Sequence, residues 1–182
     1  QPISGKEMKK IILAMVAVMV PLMLSAGSTD FWFRHFSVED GLSSSAVRAI
    51  MQDKYGFMWL GTDDGLNRYD GTTIKIYRLN PEGVNDYISF LYDTTDRIWI
   101  GTGDGVYIYD YETENFEPFK LLTAKGDSIK TNVNHIAEDR DGNLWFSTVG
   151  QGIFKYNVSK HYLERYEFKD ADGLMASVLI DS

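Results

Sequence analysis

The stretch DRDGNLWFST, residues 139–148, decides the fold because the same pattern occurs twice upstream. DKYGFMWLGT occupies residues 53–62, and DTTDRIWIGT occupies residues 93–102. In each copy an Asp is followed six positions later by a Trp, then by an apolar residue, a Gly or Ser, and a Thr. The Trp residues recur with periods of 40 and 46 residues. Self-similarity over such periods is typical of solenoids and propellers.

Each copy has the features of a tight hairpin between two strands. We expect the repeated Asp side chain to accept hydrogen bonds from backbone N–H groups of the turn. Gly56 and Gly142 supply the positive φ that the chain reversal needs. Asp96 stands at the same place in the second copy, and Asp is one of the few residue types that tolerate this conformation.

The repeated Trp and Asp residues are predicted to be structural. The alternating pattern places the Trp side chains inward, between neighbouring sheets. Burying one indole gives on the order of 4–6 kcal/mol gross. A stacking platform for a ligand is the alternative role of the three Trp residues. A catalytic carboxylate pair would be unique, whereas this Asp occurs in every copy. The residues concerned are Asp53, Trp59, Asp93, Trp99, Asp139 and Trp145.

Short strands in sets of four follow one another along most of the chain. They are predicted at 47–52, 57–61, 66–69 and 74–78, at 88–92, 98–101, 106–109 and 116–120, and at 133–138, 144–147, 153–156 and 162–168. Short segments separated by Gly, Asp and Asn indicate strands rather than helices. The fold class is therefore all-β: a β-propeller fragment of about three four-stranded antiparallel blades. The blades are expected at about 44–78, 86–120 and 132–168, with the start of a fourth at 172–182.

The first 27 residues are predicted to be a targeting segment. Met8 and two lysines precede the apolar run at 11–24, and small residues follow it. This order is that of a secretory signal peptide, here a helix ahead of the propeller. The alternative is a buried core helix, which would leave the flanking lysines and small residues without a role. The mature domain is then 28–182, with a periplasmic or secreted location.

Composition limits the possible functions. With aromatic residues at 14%, 16 Gly and 4 Pro, the chain suits a β-rich protein with many tight turns. It has no cysteine, which excludes disulfides and thiol nucleophiles. The formal net charge of −8 disfavours nucleic acid as a partner. His35, His135 and His161 have no metal-ligand spacing, so we expect no metal, cofactor or catalytic residue.

The repeat resembles the two-component regulator propeller repeat. The matching elements are the lead-in DGLSSSAVRAIMQD from Asp40, the three hairpins, and the third-strand motifs DDGLNRYD (63–70), GDGVYIYD (103–110) and VGQGIFKYN (149–157). Such repeats occur in periplasmic sensor regions of hybrid two-component histidine kinases, especially of Bacteroidetes. The resemblance implies a ligand-sensing propeller that regulates a downstream kinase in an inner-membrane parent, with a glycan-derived oligosaccharide as the signal. This chain itself is then not an enzyme.

Ligand contacts are expected on loops where the blades differ. In propellers the loop between the second and third strands shares one face with the connection between blades. The residues predicted there are Asp63, Asp64, Tyr87, Asp104 and Gln151. Acidic and amide groups of this kind can bond sugar hydroxyls, and loops on rigid scaffolds are the usual binding sites. The alternative is that these loops are solvated turns.

The sequence leaves two other functions possible and predicts self-association. The chain could belong to a propeller enzyme, such as a lyase or glycosidase, or to a propeller used for protein–protein interaction. A ring needs at least about four blades, so we expect an open arc with exposed edges that favour a homodimer or other self-association. Residues 31–36 are expected to form a further, loosely held strand. Membrane contact is expected only through parts beyond the C-terminus.

Overall fold

The computed structural model describes residues 33–79 and 87–167, together with Lys6 and Lys9. The chain divides into two units, Gln1–His35 and Phe36–Ser182, and the sheets belong to the second. Apart from Lys6 and Lys9, the predicted signal peptide lies outside the described residues, and so does the predicted start of a fourth blade. Within those residues, no helix has the length and apolar character needed to cross a membrane.

The described strands of the second unit form three four-stranded antiparallel sheets, which confirms the predicted fold class of about three blades. A 3₁₀ turn, Val38–Asp40, precedes them. The strands are β1 Val47–Gln52, β2 Met58–Thr62, β3 Gly65–Tyr69 and β4 Ile74–Tyr77; β5 Ile88–Asp93, β6 Arg97–Thr102, β7 Val106–Asp110 and β8 Asn115–Pro118; and β9 Val133–Glu138, β10 Leu144–Thr148, β11 Gly152–Asn157 and β12 Tyr162–Tyr166. Each sheet follows sequence order, so successive strands pair through hairpins. Innermost strands β1, β5 and β9 are neighbours.

The strand predicted at 31–36 is wrong for the residues that the structure describes. Residues 33–36 form no strand, and residues 31 and 32 lie outside the described part. The chain turns immediately afterwards, because the backbone N–H and hydroxyl of Ser37 both donate to Asp40 Oδ2. This capping box starts the 3₁₀ turn and prevents an extended segment from continuing into β1.

Two apolar cores fill the spaces between the blades. The first, between blades one and two, contains Trp59, which is fully buried and lies 5.1 Å from the Tyr109 ring. The second, between blades two and three, contains Trp99, whose ring lies 5.7 Å from that of Tyr156. Both Trp residues therefore pack between sheets, as predicted from the alternation. Trp145 is only half-buried, and its ring stacks on Tyr166 at 5.7 Å.

The hairpins of blades one and three have the predicted turn, but that of blade two does not. Gly56 and Gly142 have φ of 88° and 77°. Asp96 is not among the residues with positive φ, so the expectation that it would replace the turn glycine is wrong. Instead the turn is one residue shorter: Asp93 pairs with Ile98 inside the sheet, and the Thr94 N–H donates to the Arg97 carbonyl at 2.8 Å. A shorter turn removes the need for a left-handed residue.

Candidate functional site

The predicted ligand loops lie at one end of each blade. In every blade the loop after the second strand bonds the residue just ahead of the innermost strand. The Asp63 N–H donates to Ala46 O at 3.2 Å, and the Gly103 N–H donates to Tyr87 O at 3.1 Å. In blade three, Val149 donates to Asn132 at 2.9 Å. We call this end the loop end, and the opposite end, with the Asp–Trp turns, the hairpin end.

Asp63 and Tyr87 are brought together by Arg48, a residue that the sequence did not single out. Arg48 Nε and Nη2 donate to the two Asp63 carboxylate oxygens at 2.7 and 3.0 Å. The same guanidinium lies 5.8 Å from the centroid of the Tyr87 ring. Its hydrogen bonds hold the pKa of the Asp63 carboxyl below its usual value. Arg48 therefore links the loop end of blade one to that of blade two.

Asp64 and Asp104 have partners inside their own blade, and Gln151 has its partners in the connection that precedes its blade. The Asp64 carboxylate is bound by the Arg78 guanidinium, with Nη2 to Oδ2 at 2.9 Å. Asp104 Oδ1 accepts from the Thr102 hydroxyl at 2.7 Å, and its side chain is otherwise exposed. Gln151 Oε1 accepts from the Lys130 N–H at 2.9 Å, which ties its turn to the preceding connection. Among the described residues, no hydrogen bond or ion pair joins these three to one another.

At the hairpin end, Asp53 and Asp139 hold their turns and also bind the repeated Trp. Asp53 Oδ1 accepts from the backbone N–H groups of Tyr55 and Phe57, at 2.9 and 3.0 Å. Asp53 Oδ2 accepts from Trp59 Nε1 at 2.7 Å. Asp139 accepts from Trp145 Nε1 at 2.9 Å. The sequence predicted the backbone bonds but not the indole bond. The constant six-residue spacing from Asp to Trp was the feature that could have indicated it.

Asp93 has a different partner, because its shorter turn places it inside β5. The Tyr111 hydroxyl donates to Asp93 Oδ1 at 2.8 Å. Burial raises the pKa of Asp93 above its ordinary value, even though this hydrogen bond acts in the opposite direction. Burial and the same bond raise the pKa of Tyr111. The three repeated Asp residues occupy equivalent positions in the sequence, but Asp93 does not share the hydrogen-bond partners of the other two.

Grooves open at the hairpin end along both seams between blades. One has a volume of about 340 Å³ and is lined by Asp53, Tyr55, Phe57, Arg68, Tyr109, Tyr111 and Glu114. The other, of about 410 Å³, is lined by residues that include Asp96, Arg97, Glu138 and His161. Both volumes fall in the range of small-molecule sites. The sequence did not predict either groove, because their residues meet only when two blades pack.

The histidines and carboxylates of the described residues form no group of three or more that could hold a metal ion. His161 Nδ1 is hydrogen-bonded to the Tyr156 hydroxyl at 2.9 Å. The His135 ring packs on Phe90, with 4.5 Å between ring centroids, and burial lowers its pKa. His35 belongs to the first unit of the chain.

Comparison with known proteins gives one family and one curated relative. The model of the two component regulator propeller family matches residues 41–64 and 128–150. Histidine kinase P4 from Formosa agariphila is 54% identical over 61 residues, which cover 34% of this chain and 4% of that protein.

Solved structures with a similar fold include extracellular domains of two-component proteins. That of BT3049 from B. thetaiotaomicron, described as a hybrid two component system, superposes with a TM-score of 0.67 and 28% identity, covering 79% of this chain and 21% of that one. Streptogramin B lyase superposes with a TM-score of 0.54 and 16% identity, over 71% of this chain and 43% of the lyase, and at this identity shares only the fold.

The family match covers the turn and lead-in of blade one and the corresponding part of blade three. The second blade repeats the same four-strand order with its own shortened turn. The chain spans only a small part of the histidine kinase and about a fifth of the first structural relative. This chain is a β-propeller segment, and residues 41–64 and 128–150 of its first and third blades match the two component regulator propeller family.

Proposed function

We propose that this chain is part of an extracytoplasmic ligand-sensing propeller that regulates a downstream histidine kinase. The observation that carries the proposal is its 28% identity over most of its length to the extracellular domain of a two-component protein. The 61-residue identity to a histidine kinase supports the same role. The chain's own contribution is then binding rather than chemistry. Ligand binding would favour one arrangement of the sensor and so bias the kinase.

We propose a glycan-derived oligosaccharide as the ligand, bound by a segment that is periplasmic or secreted. Polar side chains at the loop end are suited to sugar hydroxyls: Asp104 is exposed and keeps one carboxylate oxygen for a further bond. Tyr87, half-buried beside Arg48, offers a ring on which a sugar could stack. Because Arg48 and Arg78 already bind Asp63 and Asp64, these two carboxylates would serve mainly to position the loops.

A reporter of kinase output in cells that carry the longer protein tests this role. We expect one class of oligosaccharide to raise or lower the output, and Asp104→Ala to reduce the response about tenfold or more. Asp110→Ala is the matched control, because Asp110 lies in the same blade at the hairpin end, where it bonds its own turn and lies 3.9 Å from Arg97 Nε. If the response required Asp110 rather than Asp104, the ligand site would not lie at the loop end.

Two other functions fit the fold. A propeller lyase or glycosidase would turn over its substrate, whereas the sensor would return it unchanged, so product formation by the purified chain would favour the enzyme. The resemblance to streptogramin B lyase is in fold alone and does not favour that alternative. A protein-interaction propeller would show no thermal shift with any small ligand. Both outcomes would overturn the sensing proposal.

A further inference from the structure

The groove between blades one and two contains a cation that has no carboxylate partner. The Arg68 guanidinium lies 4.6 Å from the centroid of the Phe57 ring, 5.7 Å from Trp59 and 5.8 Å from Tyr77. Across residues 33–79 and 87–167, Arg68 makes no ion pair or hydrogen bond. Three rings therefore shield the guanidinium from water while its N–H donors stay available.

The third blade pairs the cation at this position with a carboxylate. Arg68 lies opposite Trp59 in the β2–β3 pairing, and Lys155 lies opposite Trp145 in the β10–β11 pairing. Lys155 Nζ lies 3.4 Å from Asp139 Oδ2, so the cation there is neutralised by the repeat carboxylate. Asp53 accepts from the indole and two backbone N–H groups but forms no such pair with Arg68. In blade two the position is Ile108.

The walls of the groove are aromatic, and other side chains fix their position. The Tyr55 and Tyr111 rings meet edge to face with 5.2 Å between centroids, and Tyr55 is 62% exposed. Tyr111 is fixed by its hydrogen bond to Asp93, and Lys54 Nζ lies 4.4 Å from its ring centroid. Asp93 therefore acts as a positioning residue for this wall. An exposed ring with a rigid support is a good platform for a flat ligand.

The second seam lacks this combination. Its groove has Thr95 and Arg97 where the first has Tyr55 and Phe57, counted from the Trp of each blade. Its tyrosine, Tyr156, is only 5% exposed, and Arg97 Nε lies 3.3 Å from the carboxylate of its neighbour Asp96. Of the two described seams, the first is therefore the one that combines an exposed tyrosine with an unpaired cation.

We propose that the groove between blades one and two is a second sugar site, at the opposite end of the blades from Asp104 and Tyr87, and that it binds a sugar ring that carries a carboxylate; this rests on the glycan-sensing function proposed above. Arg68 binds the carboxylate through its planar fork, which matches two oxygens at once. Tyr55 and Tyr111 contact the C–H face of the ring. The Glu114 carboxylate, exposed at the rim, accepts from ring hydroxyls on the side away from the acid group.

Ligand-observed NMR and calorimetry on the purified chain, with galacturonate as the ligand, test the assignment. A site for one ring is expected to bind it with a Kd on the order of 1 mM. Galactose, which lacks the acid group, should bind the wild type about tenfold more weakly than galacturonate does. The variants Arg68→Met and Tyr55→Ala should each bind galacturonate about tenfold more weakly than the wild type. Lys155→Met is the matched control and should bind galacturonate like the wild type. Glu114→Gln keeps an acceptor oxygen for the ring hydroxyls and removes a like charge, so this variant should bind galacturonate more tightly.

The outcomes separate this site from the sensing role. Equal binding of galacturonate by the wild type and Arg68→Met would overturn the site while leaving a sugar-sensing chain in place. Binding of benzoate without galacturonate would assign the groove to an aromatic acid and overturn the sugar ligand. Arg68-dependent binding in a longer protein whose kinase output ignores galacturonate would support the site and contradict only the signalling role. Absence of any binding at about 10 mM would overturn the site.

Discussion

The indole Nε1 of Trp59 donates a hydrogen bond of 2.7 Å to Oδ2 of Asp53, six residues earlier in the chain. Trp145 and Asp139 repeat this bond at 2.9 Å in the third blade. The bond fastens the turn at the hairpin end to the core residue of the next strand. In blade two, Asp93 bonds Tyr111 instead, so that turn is not tied to Trp99 in this way.

Replacing Asp53 by Asn should lower the free energy of unfolding by about 1–3 kcal/mol. Asn keeps one acceptor oxygen, whereas the buried Asp53 carboxylate serves the indole and two backbone N–H donors. At least one donor would then face the new NH₂ group. Urea denaturation measures the loss. Asp93→Asn is the comparison and should cost less, because Asp93 accepts from the single hydroxyl of Tyr111; an equal loss in both variants would contradict the role given to the indole bond.

The Asp139 carboxylate should make stability depend on acid pH. Burial alone would raise its pKa, but hydrogen bonds from Trp145 and Asn143, together with Lys155, lower it well below the usual value. A lowered native pKa stabilises the fold above the unfolded-state pKa of about 3.9, and this contribution is lost as the pH falls below about 4. In urea titrations between about pH 2 and pH 6, Asp139→Asn should show a shallower acid loss than the wild type.

Asp93→Asn is the control for this titration, with the opposite sign. Burial raises the pKa of Asp93, so its charge opposes folding at neutral pH, and this penalty disappears as the carboxyl becomes protonated in acid. Removing that group should therefore steepen the acid loss of stability slightly. If the pH dependence of stability of both variants ran parallel to that of the wild type, neither carboxylate would be linked to folding.

The repeat in the sequence predicted the blades, because Asp, Gly and Trp at fixed spacing report local hairpin geometry. It could not predict the second turn. Aligning Asp93 with Asp53 by distance from Trp places both in turns, whereas pairing of Asp93 with Ile98 moves it into the sheet. The spacing from Asp to Trp is the same in all three copies, so it does not distinguish these two turns.

The groove residues could be predicted even less. Arg68 and Tyr111 lie more than 40 residues apart in the chain, and they meet only because blade two packs on blade one. Arg48 was missed for a related reason: its partners Asp63 and Tyr87 come from a loop of its own blade and from the next blade. Repeat analysis finds what the blades share, whereas these contacts arise where they differ.

Trp99→Ala should destabilise the fold by about 3–5 kcal/mol, as large-to-small changes in a core do. The side chain is 3% exposed and packs against Phe119, Phe146 and Tyr156 of the second core. Chemical denaturation checks the value. Trp145→Ala provides the comparison, since Trp145 is only half-buried, and its loss should be clearly smaller. Unchanged stability of the Trp99 variant would contradict its place in the core.

Gly61→Ala should destabilise the contact between blades one and two by about 1–3 kcal/mol, because the space is already filled. A Cβ on Gly61 would lie 2.6 Å from Ile88 Cγ2 and 2.9 Å from Ile88 Cβ. Since Ile88 is branched at Cβ and fully buried, it cannot turn away. Gly103→Ala is the control, as its nearest neighbour would be 3.5 Å away, an ordinary contact.

A double-mutant cycle identifies the cause of that loss. If Gly61 is required because Ile88 approaches it, the variant that combines Gly61→Ala with Ile88→Ala should lose less stability than the two single losses added together. The expected coupling is about 0.5–3 kcal/mol, as for residues in direct contact. Additive losses would mean that alanine at 61 disturbs the strand itself rather than the neighbouring blade.

The free face of blade one should make the chain associate with itself. Ile50 lies opposite Leu60 in blade one, as Leu91 lies opposite Ile100 in blade two. Leu91 is 7% exposed because blade one covers it, whereas Ile50 is 64% exposed and Ile76 of the same blade is 42% exposed. The corresponding face of blade two is buried, whereas this face of blade one is exposed. An exposed apolar patch of this kind binds another surface.

Ile50→Lys should therefore reduce self-association without unfolding the chain. A charge in the middle of the exposed face opposes its burial against a second copy, while an exposed position tolerates the change at a cost of about 0.5 kcal/mol or less. Light scattering over a range of protein concentrations should show oligomers for the wild type and a lower mean mass for the variant. Leu91→Lys is the matched comparison: it places the same charge in the buried seam and should unfold the chain. A wild-type chain that stays monomeric at high concentration would contradict association through this face. Oligomers of unchanged mass in Ile50→Lys would place the contact elsewhere on the chain.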